Sequence, residues 1–149
     1  MTVPYIYYRP LRWGDTDAAR IVYTAHYFDI CMEALEGWFI DILETDWFSM
    51  NADLGIGTPF VHAEVDFRAP VTPRDTLSVQ IDIERIGNKS LSFILNGFRA
   101  RDSQSVFDGR FTCCFSNMST FEPIDIPEWV REPAIHYQEE SRRVAAELA

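Results

Sequence analysis

Between Gly14 and Tyr27 the chain reads GDTDAARIVYTAHY, placing two aspartates, an arginine and a histidine where a strand-like segment gives way to a long apolar, helix-like one. Carboxylates are useful at such a junction. The first N–H groups of a helix have no partner within it and the helix dipole is positive there, so an anion beside them is stabilised. For Asp15 and Asp17 this allows two readings. In the first, one of them caps the helix or complements its dipole, an arrangement worth about 0.5–2 kcal/mol. In the second, Asp17 is held ionised beside free N–H groups around Tyr23 and Thr24, which polarise a bound carbonyl as an oxyanion hole does. A carboxylate next to a carbonyl activator is hydrolytic equipment.

Other chemistries are thinly represented. His26, His62 and His136 lie far apart without ligand spacing, and the three cysteines, two of them adjacent as Cys113-Cys114, form no pattern suited to zinc. Neither a metal nor a cofactor is expected. No GxSxG elbow, Walker loop, GxGxxG or HExxH motif occurs, which removes serine-hydrolase, nucleotide-triphosphate and zinc-protease readings. With a formal net charge of -10 and Lys89 as the only lysine, the chain offers no basic surface for nucleic acid. A small ligand with a few phosphates needs only a local cluster of arginines and stays within reach. No basic, then apolar leader opens the sequence and no apolar run is long enough to span a bilayer. Together with cysteines that read as reduced, this predicts a cytoplasmic protein with no membrane partner.

The elements that must position the junction follow from periodicity. A chain of 149 residues, 47% hydrophobic, is expected to form one domain with a core of its own. Tyr5 to Arg12 is strand-like, and Pro10 assigns it to an edge. From about Val22 to Glu44, Tyr27, Cys31, Leu35, Trp38 and Ile42 recur at spacings of three and four, with Phe28 and Phe39 widening the stripe into that of a helix surrounded on most sides. Thr45 to Thr58 reads as a loop. In PFVHAEVDFR, Val61, Ala63, Val65 and Phe67 alternate with polar residues, as in a half-buried strand. LSVQIDI, SLSFILNGFRA and VFDGRFTCCF supply three more strands, the first two joined by an IGNKS turn, giving an expected antiparallel meander of four. Beyond about residue 117 the Pro-rich acidic segment and a short helix in EESRRVAAELA are expected to be peripheral. The layout is α+β, one helix against one face of a sheet.

On these residues the chain resembles a known family. DTDAARIVYTAHYFDICMEALE is similar to the DxDxxGhVYxxxYxxxxExA signature of the 4-hydroxybenzoyl-CoA thioesterase family, and the resemblance continues through GTPFVHAEVDFRAPVTPRDTL and NKS to about Ser116. It implies a hot-dog fold, a long helix wrapped by an antiparallel sheet, assembled as dimers or tetramers with sites between protomers. It also implies an acyl-CoA substrate, with Asp17 on the catalytic aspartate and the Thr24 backbone N–H polarising the thioester carbonyl. Tyr23 and Tyr27 match the two motif tyrosines, for which packing along the pocket wall is the expectation, and His26 stands where the family often has Asn, in a hydrogen-bonding role. Thr58 and Pro59 match a segment bordering the acyl pocket, and Lys89 and Ser90 a turn that holds the nucleotide phosphates.

Two positions depart from the pattern. Arg20 replaces the motif glycine, so the turn there adopts φ > 0 under strain or is rebuilt, and the guanidinium either pairs with Asp15 or Asp17 or stays exposed. The phosphate turn carries one cation, Lys89, where the aromatic-substrate branch has more. Because a thiolate leaves readily, one carboxylate and one carbonyl activator suffice, with Asp17 acting as nucleophile or as base toward water. Trp13, Trp47, Phe48 and Phe60 predict an apolar acyl pocket suited to an aryl or short to medium acyl group. The alternatives are an acyl-carrier-protein thioesterase, a hot-dog protein that binds acyl-CoA without hydrolysis, and a structural dimer module.

Overall fold

The computed structural model describes residues 2–149. Strand β1 covers Tyr5–Pro10, helix α1 His26–Leu43, helix α2 Trp47–Leu54, β2 Ile56–Gly57, β3 Phe60–Phe67, β4 Thr76–Ile86, β5 Ser90–Arg99, β6 Gln104–Cys114, β7 Ser116–Asn117 and helix α3 Glu128–Leu148. Period-two burial builds the sheet: Leu77, Val79, Ile81 and Ile83 of β4 and Leu91, Phe93 and Leu95 of β5 are buried while their neighbours alternate outward. Their shared face packs on α1, whose Ile30, Cys31, Ala34, Leu35, Trp38 and Phe39 are almost wholly inaccessible. Trp38 meets Phe93 edge-on at 5.1 Å and Tyr27 meets Phe107 at 5.6 Å, so α1 lies across the sheet as the long central helix of a hot-dog fold.

The strand order is β1-β4-β5-β6-β3, antiparallel throughout, and this corrects the expected four-strand meander. Only β4, β5 and β6 follow one another; β3 pairs with β6 at the far edge. Residues 68–75 carry the chain back across the end of the sheet, tied by Arg68 N–H to the Val106 carbonyl, Val22 N–H to the Val71 carbonyl and Leu11 N–H to the Asp75 carbonyl. Being an edge, β3 is not half-buried as its alternation implied: Val61 is 67% and Phe67 46% exposed.

Three further expectations are corrected. Helix α1 begins at His26, after a turn through Tyr23–Ala25, and not near Val22. The loop expected over Thr45–Thr58 contains α2, which has a side-chain cap, Asp46 Oδ1 accepting the Ser49 N–H at 2.7 Å, and a left-handed Gly55 at its end. The segment beyond residue 117 is not peripheral. Helix α3 starts directly after Pro127, tolerates Pro133 in its second turn, and packs on α1 and β4. It buries Val130, Ala134 and Tyr137 completely.

Tyr137 shows how firmly α3 is held. Its hydroxyl accepts the Tyr5 N–H at 2.8 Å and donates to the Ile81 carbonyl, while its ring stands edge-on to Trp38 at 5.5 Å. Burial pushes its phenol pKa up, so it remains a neutral donor. Tyr137→Ala removes the ring and leaves two polar groups of β1 and β4 without their partner. We expect a loss of about 3–5 kcal/mol of unfolding free energy by urea titration. A merely peripheral helix gives a change within about 0.5 kcal/mol.

Candidate active site

The residues from Asp15 to Tyr23 form a short hairpin. Asp17 N–H donates to the Ile21 carbonyl at 3.1 Å, Tyr23 N–H to the Asp15 carbonyl at 2.9 Å, and Thr16 bridges Val22 between these rungs. At the tip, Arg20 takes φ 66°, the left-handed conformation for which the family pattern has glycine. Its side chain is exposed, and neither aspartate is its ion-pair partner among the described residues.

Neither aspartate caps α1, whose first turn has no side-chain cap. The carboxylate of Asp15 turns back to the sheet: Arg9 Nη1 and Nη2 donate to it at 2.8 and 3.1 Å, and the Arg12 N–H at 2.7 Å. The Arg9 guanidinium holds the Asp15 carboxyl below the usual carboxylate range. Asp17, on the same arm, is half-buried; its Oδ1 accepts the Ala19 N–H at 2.8 Å in a local turn, and Oδ2 has no protein partner among the described residues. Across the hairpin, the Tyr23 N–H is occupied by Asp15, which corrects the expectation of a free donor there. The Thr24 N–H meets no protein acceptor among the described residues, while the Thr24 carbonyl accepts from Tyr27.

Thr24 opens onto a groove of about 280 Å³ shared with Tyr27, Phe67, Arg68 and Pro70. Tyr27 is a buried wall residue there, edge-on to Phe67 at 5.1 Å. Asp17 does not line this groove, although Ile21, which bonds its N–H, does. Tyr23 is 48% exposed, its ring stands edge-on to His26 at 5.6 Å, and it does not line the Thr24 groove. His26 faces a second, polar groove with Arg9, Asp15, Asp29, Glu33 and Trp47.

Thr58 and Pro59 lie elsewhere. They border a largely apolar groove of about 360 Å³ with Met32, Trp47, Met50 and Phe60. Met118 closes one side, its thioether filling the space that a β-carbon at Gly57 would occupy. The close approach is imposed by β2 pairing with β7, Gly57 opposite Ser116. Of the four aromatic residues expected in the acyl pocket, Trp47 and Phe60 line it; Trp13 and Phe48 are 75% and 79% exposed and do not. Among the described residues the Trp47 indole N–H is buried without a partner. Lys89 and Ser90 stand at the β4–β5 turn, where Lys89 pairs with Asp125 at 2.9 Å and Arg131 donates to the Gly87 carbonyl at 2.8 Å.

One chain therefore does not unite its expected site. The Thr58–Phe60 groove lies at the start of β3 and the Thr24 groove at its end, and an eight-residue strand spans ~23 Å. Sequence reasoning also missed Arg9, Met118 and the Trp47 donor. Only Gly57 within GIGTP signalled the second of these.

The sequence pattern of the Thioesterase-like superfamily matches residues 11–133, more than half of the chain. The chain belongs to the thioesterase-like superfamily. A 1,4-dihydroxy-2-naphthoyl-CoA hydrolase of Synechococcus elongatus is 38% identical over 84 residues, 56% of this chain and 61% of the relative, so the match spans about three fifths of that protein. Among solved structures, a thioesterase superfamily protein from Jannaschia sp. CCS1 superposes with a TM-score of 0.83 at 33% identity, covering 89% of this chain and 91% of its own. Slr0204, a 1,4-dihydroxy-2-naphthoyl-CoA thioesterase from Synechocystis, superposes at 0.82 with 21% identity, covering 88% of this chain and 95% of its own, a likeness of fold. No described helix of this superfamily member is long and apolar enough to cross a membrane.

Proposed function

We propose that this superfamily member hydrolyses acyl-CoA thioesters, with Asp17 and the Thr24 N–H as its catalytic pair. The observation that carries the reading is the hairpin itself. It sets the Thr24 N–H, which has no acceptor among the described residues, at the foot of one arm and the Asp17 carboxylate with a free oxygen on the other. The Thr24 N–H stabilises charge on the thioester oxygen while Asp17 either attacks the carbonyl carbon or takes a proton from an attacking water. The C–S bond then breaks, the thiolate of coenzyme A leaves, and water supplies the oxygen of the free acid. A thiol of pKa about 8.5 needs no strong general acid to depart.

The site is completed by a second copy. The β3 edge has an unpaired backbone side and exposes Val61 and Phe67. Antiparallel pairing of two β3 edges about a two-fold axis sets the start of each strand beside the end of the other, bringing the Thr58–Phe60 groove of one protomer to Thr24 and Asp17 of its partner. The acyl group then lies among Trp47, Phe60, Met32 and Met50. Tyr27 forms the wall and His26 a hydrogen-bonding neighbour. Lys89 and Ser90 receive the nucleotide phosphates, which displace the exposed Asp125 pairing at little cost. Free cysteines at positions 31, 113 and 114 support a cytoplasmic setting.

The apolar, aromatic lining and the relatives' names favour an aryl acyl group. A turnover panel of aryl, short-chain and long-chain acyl-CoA thioesters is expected to give a kcat/KM for aryl substrates at least ~10-fold above acetyl-CoA, in line with apolar pocket contacts. Binding of the same panel without hydrolysis of any member replaces the enzyme by a carrier.

A further inference from the structure

Asp15 has no place in the chemistry just described, yet it is one of three buried polar or charged residues among those described, 7% exposed. Its partners come from separate parts of the chain. Arg9 on β1 grips it with two N–H groups, and Arg12 gives it a backbone N–H. The same guanidinium donates through Nε to Glu33 of α1 at 3.1 Å, and the Tyr7 hydroxyl donates to that glutamate at 3.0 Å. One cation thus joins the sheet, the central helix and the base of the hairpin. Through its own carbonyl Asp15 then accepts the Tyr23 N–H, the residue before Thr24, and it lies two residues before Asp17.

On the reading of Asp17 and Thr24 given above, we propose that Asp15, clamped by Arg9, is the positioning residue that fixes the two catalytic groups relative to each other and to α1. Both groups stand on a hairpin whose base is tied by Asp15, and whose tip carries Arg20 in a left-handed conformation that opposes the fold. Without the clamp, the base is held by main-chain rungs alone and both arms can shift. A misplacement of about 1 Å between reacting groups costs up to about 100-fold in rate. The bidentate geometry matters as well as the charge, because a planar guanidinium fixes the orientation of a carboxylate where an ammonium does not.

The test is a double-mutant cycle on the full-length chain, with turnover and melting temperature measured for each variant. Asp15→Asn is expected to lower kcat by about 10-fold or more with KM changed less than about 3-fold, below its melting point. In an Asp17→Asn background the same substitution is expected to change kcat less than about 2-fold, since the group it positions is already lost. A purely structural role predicts losses that multiply in full, and that result, or an unchanged kcat in Asp15→Asn, overturns the proposal. Should Asp15→Asn fail to fold, Arg9→Lys keeps the charge and loses the fork. Its kcat is expected to fall about 5-fold or more, and an unchanged kcat overturns the proposal equally. Full activity in Asp17→Asn alone removes the catalytic assignment itself and this inference with it, whereas an inactive Asp17→Asn beside a fully active Asp15→Asn removes only the inference.

Discussion

Asp17→Asn is expected to lower acyl-CoA hydrolysis at least ~100-fold while leaving the melting temperature where it was. Asparagine can still accept the Ala19 N–H that Asp17 Oδ1 accepts now, so the local turn persists and only the charge is removed. The comparison that isolates the chemistry is Thr24→Ala. Its side chain is exposed and the proposed role belongs to the main chain, so turnover should stay within about 3-fold of wild type. Steady-state release of free thiol reads both variants. Unchanged turnover in Asp17→Asn removes this carboxylate from the mechanism, and a large loss in Thr24→Ala moves the carbonyl activator from the backbone to the hydroxyl.

The second large effect is on assembly. With two fully overlapped β3 strands the two-fold axis falls near Ala63 and Glu64, so Ala63→Glu sets added carboxylates close to one another across the junction. Sedimentation velocity is expected to show a monomer, with hydrolysis reduced at least ~100-fold because the Thr58–Phe60 groove and the Thr24 groove then lie at opposite ends of one strand ~23 Å long and each lacks the partner's half. The internal pairing of β3 with β6 is unaffected, so circular dichroism should match wild type. A monomer with full activity, in either protein, ends the shared-site reading.

Much of this molecule was legible in its sequence. The alternation Leu77, Val79, Ile81, Ile83 defines β4 because a pleated strand with one buried face permits nothing else, and the three-four spacing of α1 is equally direct. The motif pointed to the left-handed turn at Arg20, since a glycine in the family pattern marks a backbone need and not a side chain, while the hairpin around it went unread. What escaped was non-local. Nothing in PFVHAEVDFR says that it pairs with β6 and not β4, because alternation records a buried face without naming the neighbour. The Arg9–Asp15 clamp is likewise invisible until the strand and hairpin are placed together. Helix α3 was obscured by Pro133 and its acidic neighbours, although Pro127 was a readable start signal. For α2, Asp46 and Gly55 were readable signals too, in a helix only eight residues long.

The far-edge placement of β3 also imposes an order of events on a nascent chain. Its partners on β6 lie about 40 to 50 residues later, from Phe67 opposite Phe107 to Phe60 opposite Cys113, so β3 leaves the ribosome well before any strand exists for it to join. The β4–β5–β6 ribbon, built from adjacent strands, can form first, and β3 then closes a long loop onto it. The border that would recruit a sister molecule is accordingly finished late, so the pairing of two chains follows the closing of each one's own sheet.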